Sequence, residues 1–259
     1  MSKLDEIVAY KRAEVAELKK RKPLAQVERA LKGRPPVRDF AAAIRRPGRL
    51  SLIAEIKRAS PSAGALRPDA DVLEIAEAYA EAGVQAISVL TDAKFFSGSL
   101  QDLMQVQEKV KVPVLRKDFL VEEYQVVEGL AAGADAVLLI AAILPKPILK
   151  RLLGLAEDFS LTPLVEVHAE KELNEALEAD AKVIGINNRD LGTFTVDLKT
   201  TERLARQVPP DRIRVSESGI HSRGDVELVQ SQGVDAILVG EELMGSPDIS
   251  KKIRELMSW

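Results

Sequence analysis

The sequence predicts an α/β fold in which eight parallel strands alternate with helices and close into a single (β/α)8 barrel. Its length of 259 residues suits one such barrel, which typically needs roughly 250 residues. One pattern, a helix-ending glycine followed by a short linker and an apolar strand, recurs along the chain. The fourth and eighth strand segments are apolar on both faces, which requires cover on both sides and favours a parallel sheet.

The chain before the first predicted strand forms an N-terminal helical extension, residues 1–48, of one domain that spans residues 1–259. Residues 2–22 predict an amphipathic helix. A second short helix, PLAQVERALKG, and a proline-rich link, RPPVRDF, follow it. A segment of this length buries little surface by itself, so it must pack on the barrel. The candidate apolar contacts of the first helix are Leu4, Ile7, Val8, Val15 and Leu18.

The repeat is clearest at Gly83, Gly133 and Gly233, with a degenerate copy at residues 178–188. Glycine at the position after a helix takes the left-handed conformation at low cost, so each copy predicts a helix end and then a strand. Between these copies lie four more strand segments, SLIAEIK, PVLRKDF, TPLVEVH and RIRVSES. Eight units with right-handed crossovers favour a closed barrel. The alternative, an open doubly wound sheet, needs edge strands with a polar face, and two such strands are not evident.

Composition excludes several classes of protein. Hydrophobic residues make up 46% and charged residues 30%, and the formal net charge is -3, so nothing attracts the chain generally to nucleic acid or an anionic membrane. There is no cysteine and there are two histidines, so we expect no metal site. The N-terminus lacks an apolar signal core, and the longest apolar run, 136–144, is about half a membrane span. We expect a cytoplasmic protein, and a monomer rather than an oligomer.

Polar residues interrupt the apolar strands near their carboxyl ends. A single charge at such a place is more often a structural ion pair or an exposed loop residue. Several on one rim indicate function, because unpaired buried charge costs several kcal/mol. Lysines and carboxylates in one barrel mouth are typical of proton transfer on an anionic substrate. These residues are Glu55, Lys57, Lys117, Glu166, Asn187, Arg189, Glu217 and Ser218.

The loops after the last two strands, SESGIHSR and VGEELMGS, predict a phosphate site. In barrels of this kind these loops commonly bind phosphate through backbone N–H groups. Ser218, Gly219 and Gly240 are the small residues closest to the strand ends. The alternative is that both glycines are ordinary turn residues.

Seven segments of the chain form a recognisable series: EIKRASPSAG, VLTDAKFFSGS, PVLRKDFLVEEYQ, GADAVLLIAAIL, LVEVH, IGINNRDL and VSESGI. In the right order and over nearly the whole length, they resemble the indole-3-glycerol phosphate synthase family. This family has the TIM-barrel fold and closes the indole ring in tryptophan biosynthesis. It converts 1-(2-carboxyphenylamino)-1-deoxyribulose 5-phosphate to indole-3-glycerol phosphate, with release of carbon dioxide and water. The resemblance therefore implies a carboxy-lyase of aromatic amino acid biosynthesis that uses no metal or organic cofactor.

The resemblance also implies roles for individual residues. Lys117 is the expected general acid on the substrate carbonyl. Glu55 and Glu166 are expected around the reacting amine and the departing hydroxyl. Lys57 is expected to pair with the anthranilate carboxylate and is a candidate proton donor in dehydration. Asn187 and Arg189 are expected to hold the substrate and orient the catalytic groups, with Glu217 and Ser218 nearby.

The remaining carried-over residues bind the two ends of the substrate. The phosphate set is Ser60, Gly219, Gly240 and Glu241, and the apolar wall against the aromatic ring is Phe96, Phe119, Leu138 and Ile140. For Leu138, ordinary packing is an equal alternative. Some relatives have serine in place of Glu241, so we expect its backbone N–H alone to contact phosphate and its side chain to turn away. His168 and His221 receive no role.

Proton transfer by these groups requires suitable pKa values, and two alternative functions stay open. We expect crowding and partial burial to move the pKa values of the lysines and carboxylates toward neutrality. One alternative is a Schiff-base aldolase with Lys117 as the nucleophile. The other is a non-catalytic barrel that binds phosphate ligands or partners, although a retired site has no reason to keep Glu55, Lys57, Lys117 and Glu166 together.

Overall fold

The barrel strands form in the segments that the sequence predicts, and the predicted fold is confirmed. The computed structural model describes residues 3–61 and 64–259. All neighbouring strands are parallel, and the last pairs with the first to close the barrel, with Ser51 opposite Ala236. The strands are β1 Ser51–Ile56, β2 Ala86–Leu90, β3 Val114–Lys117, β4 Ala136–Ile140, β5 Thr162–Val167, β6 Val183–Asn187, β7 Ile213–Glu217 and β8 Ala236–Val239.

Helices lie before and between the strands. The three helices of the extension are α1 Lys3–Arg21, α2 Leu24–Arg29 and α3 Phe40–Ile44. Those that follow are α4 Val72–Glu81, α5 Ala93–Phe96, α6 Leu100–Lys109, α7 Glu123–Ala131, α8 Lys146–Asp158, α9 Glu170–Glu178, α10 Lys199–Ala205, α11 Arg223–Ser231, α12 Glu241–Met244 and α13 Ile249–Met257. Gly83, Gly133 and Gly233 have positive φ angles of 83°, 92° and 78°, as predicted for positions just after a helix. A short antiparallel pair, Ala59–Ser60 with Gly64–Ala65, follows β1.

The apolar strands are covered on both faces, as the sequence predicts. Every residue of β4 and β8 is buried, because one face lines the barrel interior and the other packs on helices. Ile7 of α1 and Phe40 and Ile44 of α3 belong to the same core. Helix α3 was not predicted; its N-terminus is capped by Asp39, which accepts a hydrogen bond from the Ala42 N–H. No helix in the described ranges is long and apolar enough to cross a membrane.

A buried lysine attaches the first helix to the rim of the barrel. Lys11 Nζ lies 2.7 Å from Glu14 Oε2, 2.7 Å from Asp92 Oδ2 and 3.0 Å from Asp118 Oδ1. Asp92 and Asp118 follow β2 and β3 at their carboxyl ends. Helix α1 therefore lies beside the end of the barrel where the predicted site residues converge.

Candidate active site

One cavity opens at the carboxyl ends of the barrel strands. Side chains from separate strands meet there because parallel strands end at a common rim. All the site residues predicted from the sequence line this cavity, and their roles stay predictions. They are Glu55, Lys57, Ser60, Phe96, Lys117, Phe119, Leu138, Ile140, Glu166, Asn187, Arg189, Glu217, Ser218, Gly219, Gly240 and Glu241.

At the centre of the cavity, Lys117 faces three carboxylates from three other strands. Its Nζ lies 3.7 Å from Glu55 Oε2, 3.7 Å from Glu166 Oε2 and 3.4 Å from Glu217 Oε2. We call these four residues the Lys117 cluster. Burial disfavours the charge of Lys117, but the three carboxylates outweigh burial and raise its pKa above the ordinary value. The expected shift toward neutrality is therefore wrong for this lysine.

The three carboxylates of the cluster do not titrate alike. Burial raises the pKa of Glu166, but Lys117 and other partners outweigh it and lower the pKa to about 2. The pKa of Glu55 is also held below its usual value, against burial, by two neighbouring lysines. Burial raises the pKa of Glu217 to about 7, since the other two glutamates offset the attraction of Lys117. Only Glu217 shifts in the direction that the sequence predicts, and it can exchange a proton near neutral pH.

A second lysine confirms that the charges at the end of β1 share one face. Lys57 Nζ lies 3.1 Å from Glu55 Oε1 and 3.4 Å from Glu241 Oε1. Arg189 donates from one nitrogen to both oxygens of Glu241, at 3.0 Å each. The Glu241 side chain thus lies in the cavity wall, between two cations. Asn187 fixes the start of the next loop, since its Oδ1 accepts the Arg189 N–H at 3.0 Å.

Two glycines make room for these carboxylates. A Cβ on Gly240 would lie 2.6 Å from Glu55 Oε1, and a Cβ on Gly185, within β6, would overlap Glu217 Oε1. A side chain at either position would displace a carboxylate of the Lys117 cluster. Gly185 was not predicted as a site residue, although a glycine inside a buried strand is a signal of close approach.

The loop after β7 has an unusual backbone. Ser218 and Gly219 are consecutive left-handed residues, with φ angles of 66° and 78°. A left-handed serine is uncommon, so this conformation must be held by its surroundings. Asn188 Nδ2 donates to the Ser218 carbonyl oxygen at 3.0 Å, and a Cβ on Gly219 would overlap Val196.

An apolar wall faces the charged groups. The rings of Phe96 and Phe119 lie 6.1 Å apart at 40°, and Leu138 and Ile140 of β4 are buried beside the cavity. Helix α1 contributes Leu4 and Ile7 to the lining. The sequence predicted their packing but not this place, because helical periodicity does not show where on the barrel a helix lies.

His168 contacts the cluster, although the sequence gave it no role. Its Nε2 lies 3.2 Å from Glu166 Oε1, and its Nδ1 lies 3.2 Å from Glu172 Oε2. Burial opposes a charge on the imidazole, but these two carboxylates outweigh it and raise the pKa of His168 to about 10. His221, in the loop after β7, lines the cavity. In the described part of the chain, no three His, Cys, Asp or Glu side chains are arranged to bind a metal ion.

Comparison with known proteins places this site in a family. The family model described as indole-3-glycerol phosphate synthase matches residues 4–256. The chain belongs to that family. An indole-3-glycerol phosphate synthase from Roseiflexus sp. (strain RS-1) is 49% identical over 98% of this chain and 97% of its own length. One from Acetivibrio thermocellus is 45% identical over 97% and 98%.

Solved structures outside the indole-3-glycerol phosphate synthases share the fold. The 3-hexulose-6-phosphate synthase from Salmonella typhimurium superimposes with a TM-score of 0.66 over 81% of this chain and 97% of its own. It is 14% identical in sequence, so the likeness concerns the barrel alone.

Proposed function

We propose that the cavity converts 1-(2-carboxyphenylamino)-1-deoxyribulose 5-phosphate to indole-3-glycerol phosphate, with release of carbon dioxide and water. The observation that carries this proposal is the Lys117 cluster, in which one ammonium faces carboxylates from β1, β5 and β7 at 3.4 to 3.7 Å. Such a cluster supplies a proton donor and several acceptors around one point, which ring closure and dehydration require.

In ring closure, Lys117 acts on the substrate carbonyl. The aromatic carbon that carries the carboxylate attacks the carbonyl carbon, and the carbonyl π electrons move to oxygen, which takes a proton from the ammonium. The bond to the carboxylate then breaks, its electron pair returns to the ring, and carbon dioxide leaves. The raised pKa of Lys117 supports this role, because it keeps the donor protonated at neutral pH.

In dehydration, the new hydroxyl needs a proton and the new ring must lose one. Lys57 is the candidate donor, and Glu55, at 3.1 Å from it, stabilises its charge. Glu166 is the candidate acceptor, because its lowered pKa keeps it ionised. Glu217, with a pKa near 7, is suited to return a proton to Lys117.

Substrate binding uses the cavity wall. The left-handed Ser218–Gly219 turn leaves backbone N–H groups for the phosphate, together with Ser60, Gly240 and the backbone of Glu241. The aromatic ring packs on the apolar wall of Phe96, Phe119, Leu138 and Ile140. The substrate carboxylate binds Lys57 and Arg189, and it replaces the carboxylate of Glu241 that lies between them.

The Schiff-base aldolase is less well supported. A lysine that forms a Schiff base must first lose its proton, and such lysines have lowered pKa values. The carboxylates around Lys117 raise its pKa instead. Borohydride reduction in the presence of substrate tests the difference, since an aldolase leaves a stable adduct on Lys117 and the proposed reaction leaves none.

A non-catalytic barrel is disfavoured by the energetics of the cavity. Glu55, Glu166 and Glu217 are buried, and burying carboxylates costs several kcal/mol each. A protein that only held phosphate would gain nothing from buried carboxylates beside the phosphate loops, because their negative charge repels phosphate.

The decisive experiment is turnover by the purified chain. Incubation with the carboxyphenylamino-deoxyribulose phosphate is expected to give indole fluorescence and an equal amount of carbon dioxide. Absence of product at millimolar substrate would overturn the proposal. The same preparation, analysed by light scattering, tests the expected monomer. The proposal includes activity as a monomer in the cytoplasm.

A further inference from the structure

The Lys117 cluster has more negative than positive charge. Lys117 is the cation that reaches all three glutamates, and Lys57 reaches only Glu55 among them. With Glu166 and Glu217 both facing one ammonium, either of them is the candidate to hold a proton. Something in the surroundings must decide which carboxylate stays ionised.

The position of His168 allows it to determine which of the two carboxylates stays ionised. It lies just beyond β5, two residues after Glu166, so both side chains point to the same face. Its side chain is 12% exposed, and both ring nitrogens face carboxylates, Glu166 at 3.2 Å and Glu172 at 3.2 Å. Nδ1 is within hydrogen-bond distance of Glu172, whereas Nε2 is close to Glu166 without an aligned hydrogen bond, so its contact with Glu166 is that of an ion pair. A positive charge on the doubly protonated ring is attracted to both carboxylates at once.

Glu172 fixes the orientation of this ring. It lies in the first turn of α9, and the same oxygen that faces Nδ1 accepts the backbone N–H of His168 at 2.6 Å. Since this carboxylate contacts both the main chain and the ring, the imidazole is directed toward Glu166. Asp190, in the loop after β6, also interacts electrostatically with His168 and favours its charge.

We infer that His168 is an imidazolium that serves as a positioning residue: it keeps Glu166 ionised and oriented, so that the exchangeable proton of the cluster lies on Glu217. This inference rests on the proposed function for its effect on turnover. The charged groups that face Glu166 are Lys117 on β3, Glu55 on β1, Glu217 on β7 and His168. The raised pKa of His168 and the lowered pKa of Glu166 agree with it.

The first test does not depend on turnover. The chain has only two histidines, so an NMR titration of a histidine-labelled sample resolves each ring. The resonance that disappears in His168→Gln belongs to His168. It is expected to stay protonated well above pH 8. Titration near the ordinary value of about 6.5 would overturn the inference even if the proposed reaction proved wrong.

The second test is the pH profile of kcat. In His168→Gln, Glu166 keeps Lys117 but loses the second of its two cations and its pKa rises, so kcat is expected to fall about tenfold at about pH 5.5 and to recover toward about pH 8.5. His168→Lys keeps a cation and is expected to restore activity at acid pH. An equal loss at every pH in both variants would indicate a structural role instead.

Glu172 provides a matched pair of variants on one helical turn. Glu172→Gln is expected to move the acid limb of kcat in the same direction as His168→Gln, but by less, because the ring loses one of its two carboxylates. Glu170→Gln, which changes an exposed carboxylate in the same turn, is expected to leave the profile unchanged. A larger shift in the Glu170 variant than in the Glu172 variant would contradict the assignment.

Discussion

Two lysines of this protein, Lys11, which is buried, and Lys117, which is partly buried, each face three carboxylates, and they differ in how tightly they are held. Lys11 attaches α1 to the rim, with nitrogen–oxygen distances of 2.7, 2.7 and 3.0 Å. We call this lysine with Glu14, Asp92 and Asp118 the Lys11 cluster. In the Lys117 cluster the corresponding distances are 3.4 to 3.7 Å. Both clusters combine one lysine with three carboxylates, but the longer distances in the Lys117 cluster leave room for a substrate.

The carboxylates of the two clusters differ in the same sense. Asp118 accepts hydrogen bonds at both oxygens, from Phe119 N–H and from Thr91 Oγ1 among others. Among the described residues, neither oxygen of Glu217 has a hydrogen-bond partner. A buried polar group without a partner is costly, so its presence indicates a purpose other than stability. The contrast is between Asp118 and Glu217, since Asp92 Oδ2 in the Lys11 cluster also has no hydrogen-bond partner among the described residues.

The largest effect is expected when Lys117 is removed. Lys117→Ala deletes the proton donor, so kcat is expected to fall by about 10²–10⁴-fold while the circular dichroism spectrum stays that of the folded barrel. Lys111→Ala, which changes an exposed lysine before β3, is the control and is expected to keep full activity. A near-normal rate in Lys117→Ala would show that the general acid lies elsewhere.

Removal of Lys11 is expected to act mainly on stability. Lys11→Met leaves Asp92 and Asp118 buried without their shared cation, which is expected to lower the free energy of unfolding by about 3–5 kcal/mol in urea denaturation. Lys19→Met, on the same helix, breaks an exposed pair with Glu122 and is expected to cost at most about 1 kcal/mol. An equal decrease in the free energy of unfolding in the two variants would show that the buried pairs of Lys11 contribute no more to stability than the pair of Lys19.

Gly185→Ala is expected to alter catalysis through position alone. The added methyl group would overlap Glu217 Oε1, and the displaced carboxylate is expected to lower kcat by about tenfold to a hundredfold. Gly154→Ala, in α8, meets no atom within 4 Å and is expected to raise stability by up to about 1 kcal/mol with no change in kcat. Unchanged kinetics in Gly185→Ala would mean that Glu217 does not need its observed position.

The smallest effect is expected at Glu241. If its carboxylate competes with the substrate for Lys57 and Arg189, as proposed, Glu241→Gln is expected to lower KM by up to about fivefold, the equivalent of about 1 kcal/mol. Steady-state kinetics at low and high salt check this effect, since salt screens the charges and should reduce the difference in KM between the variant and the unaltered protein. A raised KM would instead make the carboxylate part of the binding site.

The sequence predicts the features of the fold that repeat along the chain. Strand and helix positions follow from local periodicity and from glycines at helix ends, and the rim residues follow from the parallel arrangement of the strands. Gly185 was missed although its signal, a glycine inside the apolar strand VIGIN, was present in the sequence. Its importance depends on Glu217, which lies on a different strand.

Other features depend on distances that no local pattern contains. The direction of the Lys117 pKa shift follows from the number of carboxylates that reach its nitrogen, and three do. The contact of Lys11 with Asp92 and Asp118 joins segments far apart in the chain. His168 shares a face with Glu166 by simple alternation, but Glu172 gives it a second carboxylate only once α9 has packed.

The Lys11 cluster also sets an order of events during synthesis. Helix α1 is made first, yet the aspartates that neutralise its buried lysine are made only with the segments after β2 and β3. Until residue 118 is available, docking this helix would bury a lysine without at least one of those two partners, which is unfavourable. Asp118 directly follows Lys117, so we expect the first helix to reach its final position only when the backbone that carries the proposed general acid is also in place.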